Sequence, residues 1–175
     1  MDPAQRPTVE PHALATEGAT SSESDQLRRA GPSTTMRAAV ISMGGELFTI
    51  DLKSVREVFV VESITPVPGM PSGLVGVTNL RGTVIPLLDL RSMFGLNAVA
   101  TLGFAVLVQH ENWQVGVLVD SIPEIRTFAK DELLPAPAGT GEGACPFVST
   151  VVKLEDRLRG VLETSVVLSH FERAS

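Results

Sequence analysis

From about residue 37 onward the apolar residues of this chain fall in short runs that alternate with polar ones at a period of two. The runs are rich in Val, Ile and Leu and are broken by Gly, Pro, Asn and Asp, the pattern of half-buried strands. Residues 38–43, 47–52, 55–61, 75–79 and 83–88 form one set of predicted strands, and 104–109, 113–119, 123–128, 147–153 and 158–164 a second. Helical signals are few. Asp89 suits the cap of a short helix over 89–95, which Gly95 can end in a left-handed conformation. A single helical turn is expected at 130–134, where Asp131 and Glu132 suit a helix start, and a second short helix over 165–171. Ahead of all this, Pro, Ser, Thr, Ala and Glu dominate, with Val9, Leu14 and Leu27 the only larger apolar residues between Met1 and Met36. Such a segment cannot offset the entropy of ordering it, so residues 1–36 are expected to be a disordered tail and 37–175 the folded domain.

The two sets of strands repeat one another. A shift of 67 residues lays 38–41 (AAVI) on 105–108 (AVLV) and 54–58 (SVREV) on 121–125 (SIPEI); after a slip of two, 64–68 (ITPVP) falls on 133–137 (LLPAP). Five short strands avoid open edges most simply by curling into a small barrel, and a unit of about 65 residues buries too little surface to be stable alone. The expected fold is therefore all-β: two pseudo-symmetric five-stranded SH3-like barrels packed together, with short helices at the ends of the units. Barrel one takes about 37–100 and barrel two about 101–175, with the terminal segment free to cross between them. Pro66, Pro68 and Pro71 in one loop and Pro135 and Pro137 in its counterpart predict stiff, extended connections, and 139–143 a flexible one.

Composition narrows the function. The hydrophobic share is 43% and the net charge −6, with no basic run of the kind that grips nucleic acid or anionic lipid, so a protein partner is expected. No stretch approaches the roughly 18 apolar residues of a membrane span, which excludes direct insertion. The start does not resemble a signal peptide and there is one cysteine, Cys145, so the cytosol is the expected compartment and an internal disulfide is ruled out. Cys145 reads as a buried or incidental thiol. His12, His110 and His170 share no ligand spacing, which argues against a metal. Without a nucleophile elbow, a phosphate loop or a dinucleotide fingerprint, neither catalysis nor a cofactor is expected. Trp113, the single tryptophan, stands at the start of a strand, where half-buried packing is the simplest role.

The most distinctive run is residues 76–91, GVTNLRGTVIPLLDLR. It predicts a hairpin whose turn contains Asn79 and Gly82, with Arg81 projecting from the tip and Pro86 marking an edge or a bulge. With 48–52 (FTIDL), 55–58 (VREV), 115–120 (VGVLVD) and 132–137 (ELLPAP), this run resembles the CheW family of chemotaxis coupling proteins over nearly the whole domain. The resemblance implies a non-catalytic adaptor, monomeric in isolation, that joins the cytoplasmic tip of a chemoreceptor to the regulatory domain of a CheA-type histidine kinase in membrane-bound receptor arrays. Val55, Glu57, Gly76, Asn79, Arg81 and Gly82 match the family's receptor-facing region. The kinase-facing surface is unassigned. Gly76 and Gly82 also read as structural, and a pair between Arg81 and Glu57 is a further expectation. The second hairpin reads KLEDR at 153–157 and lacks the motif, so no second receptor site is expected there. Two rival readings remain: a relative serving a non-flagellar chemosensory pathway that binds receptor but not kinase, and a small β-barrel protein with a ligand pocket between its barrels.

Overall fold

The alternation of apolar and polar side chains is realised as two curved sheets. The computed structural model describes residues 35–97, 103–136 and 146–172. The expected tail up to residue 34, the 139–143 connection and Cys145 lie outside the described residues. Strands are β1 (Thr35–Met43), β2 (Glu46–Asp51), β3 (Val55–Val60), β4 (Leu74–Leu80), β5 (Thr83–Leu88), β6 (Phe104–His110), β7 (Trp113–Val119), β8 (Glu124–Ala129), β9 (Leu133–Pro135), β10 (Val148–Leu154) and β11 (Arg157–Leu162); a helix, α1, covers Thr164–Glu172. Thr35 and Met36, expected in the tail, open β1 opposite Ala129 and Phe128. The helical turn expected at 130–134 is a 3-10 turn over Lys130–Glu132, after which β9 begins.

The first sheet has the order β8-β1-β2-β11-β10-β9 and the second β3-β6-β7-β5-β4. The repeat relates them strand for strand except for β9, whose counterpart in the second sheet is the single bridge of Thr65 with Val77, and each sheet joins the first hairpin of one repeat to the later strands of the other. The expected division near residue 100 therefore separates the repeats and not the sheets. Two parallel pairings make the exchange: Thr49 with Val161 and Leu162 with Ile50 in the first sheet, Leu87 with Gly116 and Leu88 with Val117 in the second. Neither repeat can complete a sheet alone, which accounts for two units too small to fold separately acting as one domain.

Side chains on the two faces of each strand serve different cores. In β1, Ala38 and Val40 point into a small cluster inside the first sheet, with Phe128, Val152, Leu154 and Val161, while Ile41 and Met43 point the other way. In β6, Ala105 joins Val61 and Leu87 inside the second sheet, while Val106 and Val108 point outward from it. The outward faces meet in the largest core, a seam holding Ile50, Leu88, Val115, Val117, Phe147 and Leu162. Helix α1 follows β11 of the first sheet yet packs on β6 of the second, adding Val167, Leu168 and Phe171 to the seam. Among the described residues, the seam between the two sheets is thus packed with apolar side chains.

β5 lies between β7 and β4, but its paired residues with β7 are only Leu87 and Leu88, so Pro86 stands just outside that ladder and next to the β4 bulge between Leu74 and Gly76. Counted from the closing pair Leu80 and Thr83, the pair Val77 and Pro86 is a non-hydrogen-bonded one, so the missing N–H removes no β4–β5 bond. Asp89 caps no helix: the 3-10 turn Ser92–Phe94 starts from Arg91 without a side-chain cap, although Gly95 does end it at φ 65°. The Asp89 carboxylate instead accepts hydrogen bonds from the N–H and the guanidinium of Arg91, each 3.0 Å.

Candidate protein-docking site

The β4–β5 hairpin turns through two residues, Arg81 at φ 51° and Gly82 at φ 88°. Positive φ at both central positions is the primed turn that matches strand twist, and Gly82 is the residue that adopts it without strain. Asn79 secures the turn, its Oδ1 accepting the Gly82 N–H at 2.7 Å. Arg81 is thereby held at the tip with its side chain 78% exposed.

Glu57 reaches the same place from the opposite end of the sheet. β3 and β4 are the two terminal strands of the second sheet, and Arg81 Nη2 lies 2.9 Å from Glu57 Oε2. The expected pair is present, and it bridges the free edges of a curled sheet. A bulge places Glu57: Val55 pairs with Val108 and Glu57 with Leu107, leaving Arg56 as the extra residue. Arg56 Nε then donates to Gln109 Oε1 at 2.7 Å.

Gly76 serves the closure itself. At φ 149° it faces the segment after β3, where Thr65 and Val77 exchange backbone hydrogen bonds of 2.8 and 2.9 Å. A Cβ at Gly76 would sit 2.5 Å from the Thr65 carbonyl oxygen. Of the six expected site residues, then, Glu57, Asn79, Arg81 and Gly82 come together at one end of the second sheet. Val55 is partly buried against the seam core, and Gly76 supports the barrel farther along β4.

The second hairpin makes the same turn with the opposite charge. Glu155 at φ 51° stands where the repeat puts Arg81, followed by Asp156 at φ 60°. Its neighbour Arg126 lies 3.2 Å from Glu124 and 3.9 Å from Glu155. The repeat therefore preserves the turn but not the chemistry of its tip.

Two features escaped the sequence pattern. One is a polar clasp between the sheets. Arg91, 4% exposed, donates to Asp89 at 3.0 Å and to Asp120 at 2.6 Å. Asp120, just past β7 of the second sheet, also accepts from Ser42 Oγ at 3.1 Å and from the Gly45 N–H at 3.2 Å, both in the β1–β2 hairpin of the first. Burial pushes the Asp120 carboxyl up, but the hydrogen bonds from Arg91, Gly45 and Ser42 outweigh it and hold the group below its ordinary value. The other is how open Trp113 stands: it is 54% exposed, close to the half-buried position expected but beyond the end of the seam core. Among the described residues, no group of three His, Cys, Asp or Glu side chains is placed to hold a metal ion, and no helix is long and apolar enough to cross a membrane.

Comparison with known families decides what this arrangement belongs to. The family model described as the CheW-like domain matches residues 37–172. The chain belongs to the CheW-like domain family. A chemotaxis protein CheW from Rhizobium meliloti is 30% identical over 133 residues, 75% of this chain and 86% of the relative. Another from Bacillus subtilis is 28% identical over 131 residues, 74% of this chain and 84% of its own. Among solved structures, the scaffolding protein TtCheW from Thermoanaerobacter tengcongensis superimposes with a TM-score of 0.64 at 28% identity, covering 74% of this chain and 89% of that one. The CheW-like range takes in all six expected site residues and the whole of the Asp89, Arg91 and Asp120 clasp.

Proposed function

We propose that this chain is a non-catalytic coupling adaptor of chemosensory signalling, binding the cytoplasmic tip of a chemoreceptor and the regulatory domain of a CheA-type histidine kinase. In this reading the protein is cytoplasmic and monomeric on its own, and is recruited to membrane-bound receptor clusters by its partners. The observation that carries the proposal is the end of the second sheet, where the Asn79 and Gly82 turn presents Arg81, ion-paired to Glu57 yet open to solvent. An exposed ion pair adds little to stability, so a turn built to present it suits recognition better than folding. The adaptor works as linkage: one protein binding two partners in a fixed relative geometry lets a change in one bias the state of the other.

The receptor site comprises Glu57, Asn79, Arg81 and Gly82, with Val55 and Gly76 supporting their placement. Titration of the chain and of Arg81→Ala against a receptor tip and, separately, a kinase regulatory domain tests this. The substitution should weaken receptor binding at least tenfold and leave kinase binding unchanged. Equal receptor affinities would remove Arg81 from the site, and receptor binding without kinase binding would mark a relative that serves receptors alone.

A further inference from the structure

The seam face of the second sheet continues past the end of its core, and what lies there is apolar and exposed. Trp113 precedes Val115 and Val117 by two and four residues and so shares their face, and Val84 shares the face of Leu88 in the same way. The parallel ladder of β5 with β7 consists of Leu87 with Gly116 and Leu88 with Val117; carried three residues back beyond that ladder, the same register sets Val84 beside Trp113. Val84 pairs in turn with Asn79, and Trp113 with His110. His110, Trp113, Val84 and Asn79 thus form a row across four adjacent strands, all exposed and all facing one way. Trp113 is 54% and Val84 65% exposed, and Arg81 stands two residues beyond Asn79.

The pseudo-symmetric row on the first sheet keeps an exposed apolar residue, Leu158 at 53%, but has no aromatic one beside it. The repeat puts Glu46 in place of Trp113, Lys153 in place of Asn79 and Leu158 in place of Val84. Glu46 is ion-paired to Arg159. An exposed tryptophan beside an exposed valine therefore occurs at the end that carries Arg81, and not at its twin.

We propose that Trp113 and Val84 are the apolar half of the receptor-docking surface, receiving apolar side chains of an amphipathic helical receptor tip whose polar groups meet Arg81. This rests on the receptor reading above and extends it by two residues. The chemistry is that of a helix laid in a groove: an apolar anchor at the centre and a charged group at the rim. Tryptophan suits the anchor because it offers a large rigid surface with an N–H still free to find a partner.

Trp113 is the only tryptophan, so its emission reports on this spot alone. The full chain is titrated with a tryptophan-free cytoplasmic hairpin of a chemoreceptor. Binding should shift the emission to the blue and shield it from acrylamide. Trp113→Ala should weaken binding by about thirtyfold, the loss typical of a buried aromatic anchor, Trp113→Phe by much less, and Val84→Ser severalfold. Because both side chains are exposed, the variants should keep the parent circular dichroism and melting midpoint, which separates a binding defect from a folding one. If the receptor binds in an Arg81-dependent way while the emission stays fixed and Trp113→Ala binds like the parent, the inference fails and the receptor site stands. If the unmodified chain binds no receptor hairpin, both fail. If the kinase regulatory domain is what shifts the emission and needs Trp113, the row belongs to the kinase and the inference is overturned.

Discussion

Replacing Arg91 by methionine should loosen the joint between the two sheets. The Arg91 side chain is 5% exposed and ties Asp89 after β5 to Asp120 after β7, while Asp120 is also bonded to Ser42 and Gly45 of the first sheet. Methionine fills much of the same volume but leaves both carboxylates without their cation. Removing one partner of a buried pair costs about 3–5 kcal/mol. The Asp89 and Asp120 side chains keep 20% and 21% of their exposure, so water recovers part of that loss, and about 2–3 kcal/mol is the working figure. For a domain of this size that is a fall in Tm of roughly 10 °C. Asp120→Asn retains acceptor oxygen and should cost about 1–2 kcal/mol. Since the two substitutions damage one contact, the double variant should lose clearly less than the sum. The pH dependence has a definite sign. The Asp120 carboxyl is held below its ordinary value, so its contribution is fully present above the unfolded carboxylate value, near 3.9, and fades as pH falls through the folded one. Urea unfolding of the parent and Asp120→Asn should therefore show a constant gap from about pH 5 to 8 that narrows below about pH 4. An Arg91→Met variant within about 0.5 kcal/mol of the parent, or strictly additive losses, would refute the clasp as a load between the sheets.

Arg81→Ala should shift the melting midpoint by no more than a few degrees, because an exposed ion pair contributes about 0.2–1 kcal/mol. The same pair should show coupling in receptor binding: Arg81→Ala, Glu57→Ala and the double variant, titrated against a receptor tip, should give losses that do not add. Gly76→Ala should destabilise by at least about 2 kcal/mol in a thermal melt, since the new Cβ meets the Thr65 carbonyl at 2.5 Å and the residue must keep φ 149°. Asn79→Ala, which removes the hydrogen bond closing the turn, should cost about 1 kcal/mol.

Much of the fold was legible because period-two alternation is a local signal. The positions of nearly all the strands, the internal repeat and the hairpin presenting Arg81 all follow from neighbouring residues. The exchange of first hairpins was not legible, because β2 finds its parallel partner β11 more than a hundred residues later and nothing in either strand names the other. Asp89 misled for a related reason. An aspartate before a short helix looks the same whether it caps the helix or accepts from a buried arginine two residues on, and Arg91 and Asp120 lie in separate motifs. Trp113 was legible as half-buried but not as standing beyond the end of the seam core. Alternation tells which face a side chain takes but not how far along the strand the opposing core extends, and here the core ends at Val115.

The central claim is that this chain joins a receptor to a kinase without chemistry of its own. The direct measurement is co-sedimentation of a CheA-type kinase with chemoreceptor-containing membranes, with the chain present, absent, or carrying Arg81→Ala. The account predicts that the chain raises the kinase in the pellet several-fold and that Arg81→Ala removes most of that gain while still binding kinase in solution. Kinase recruitment that is the same with and without the chain would contradict it.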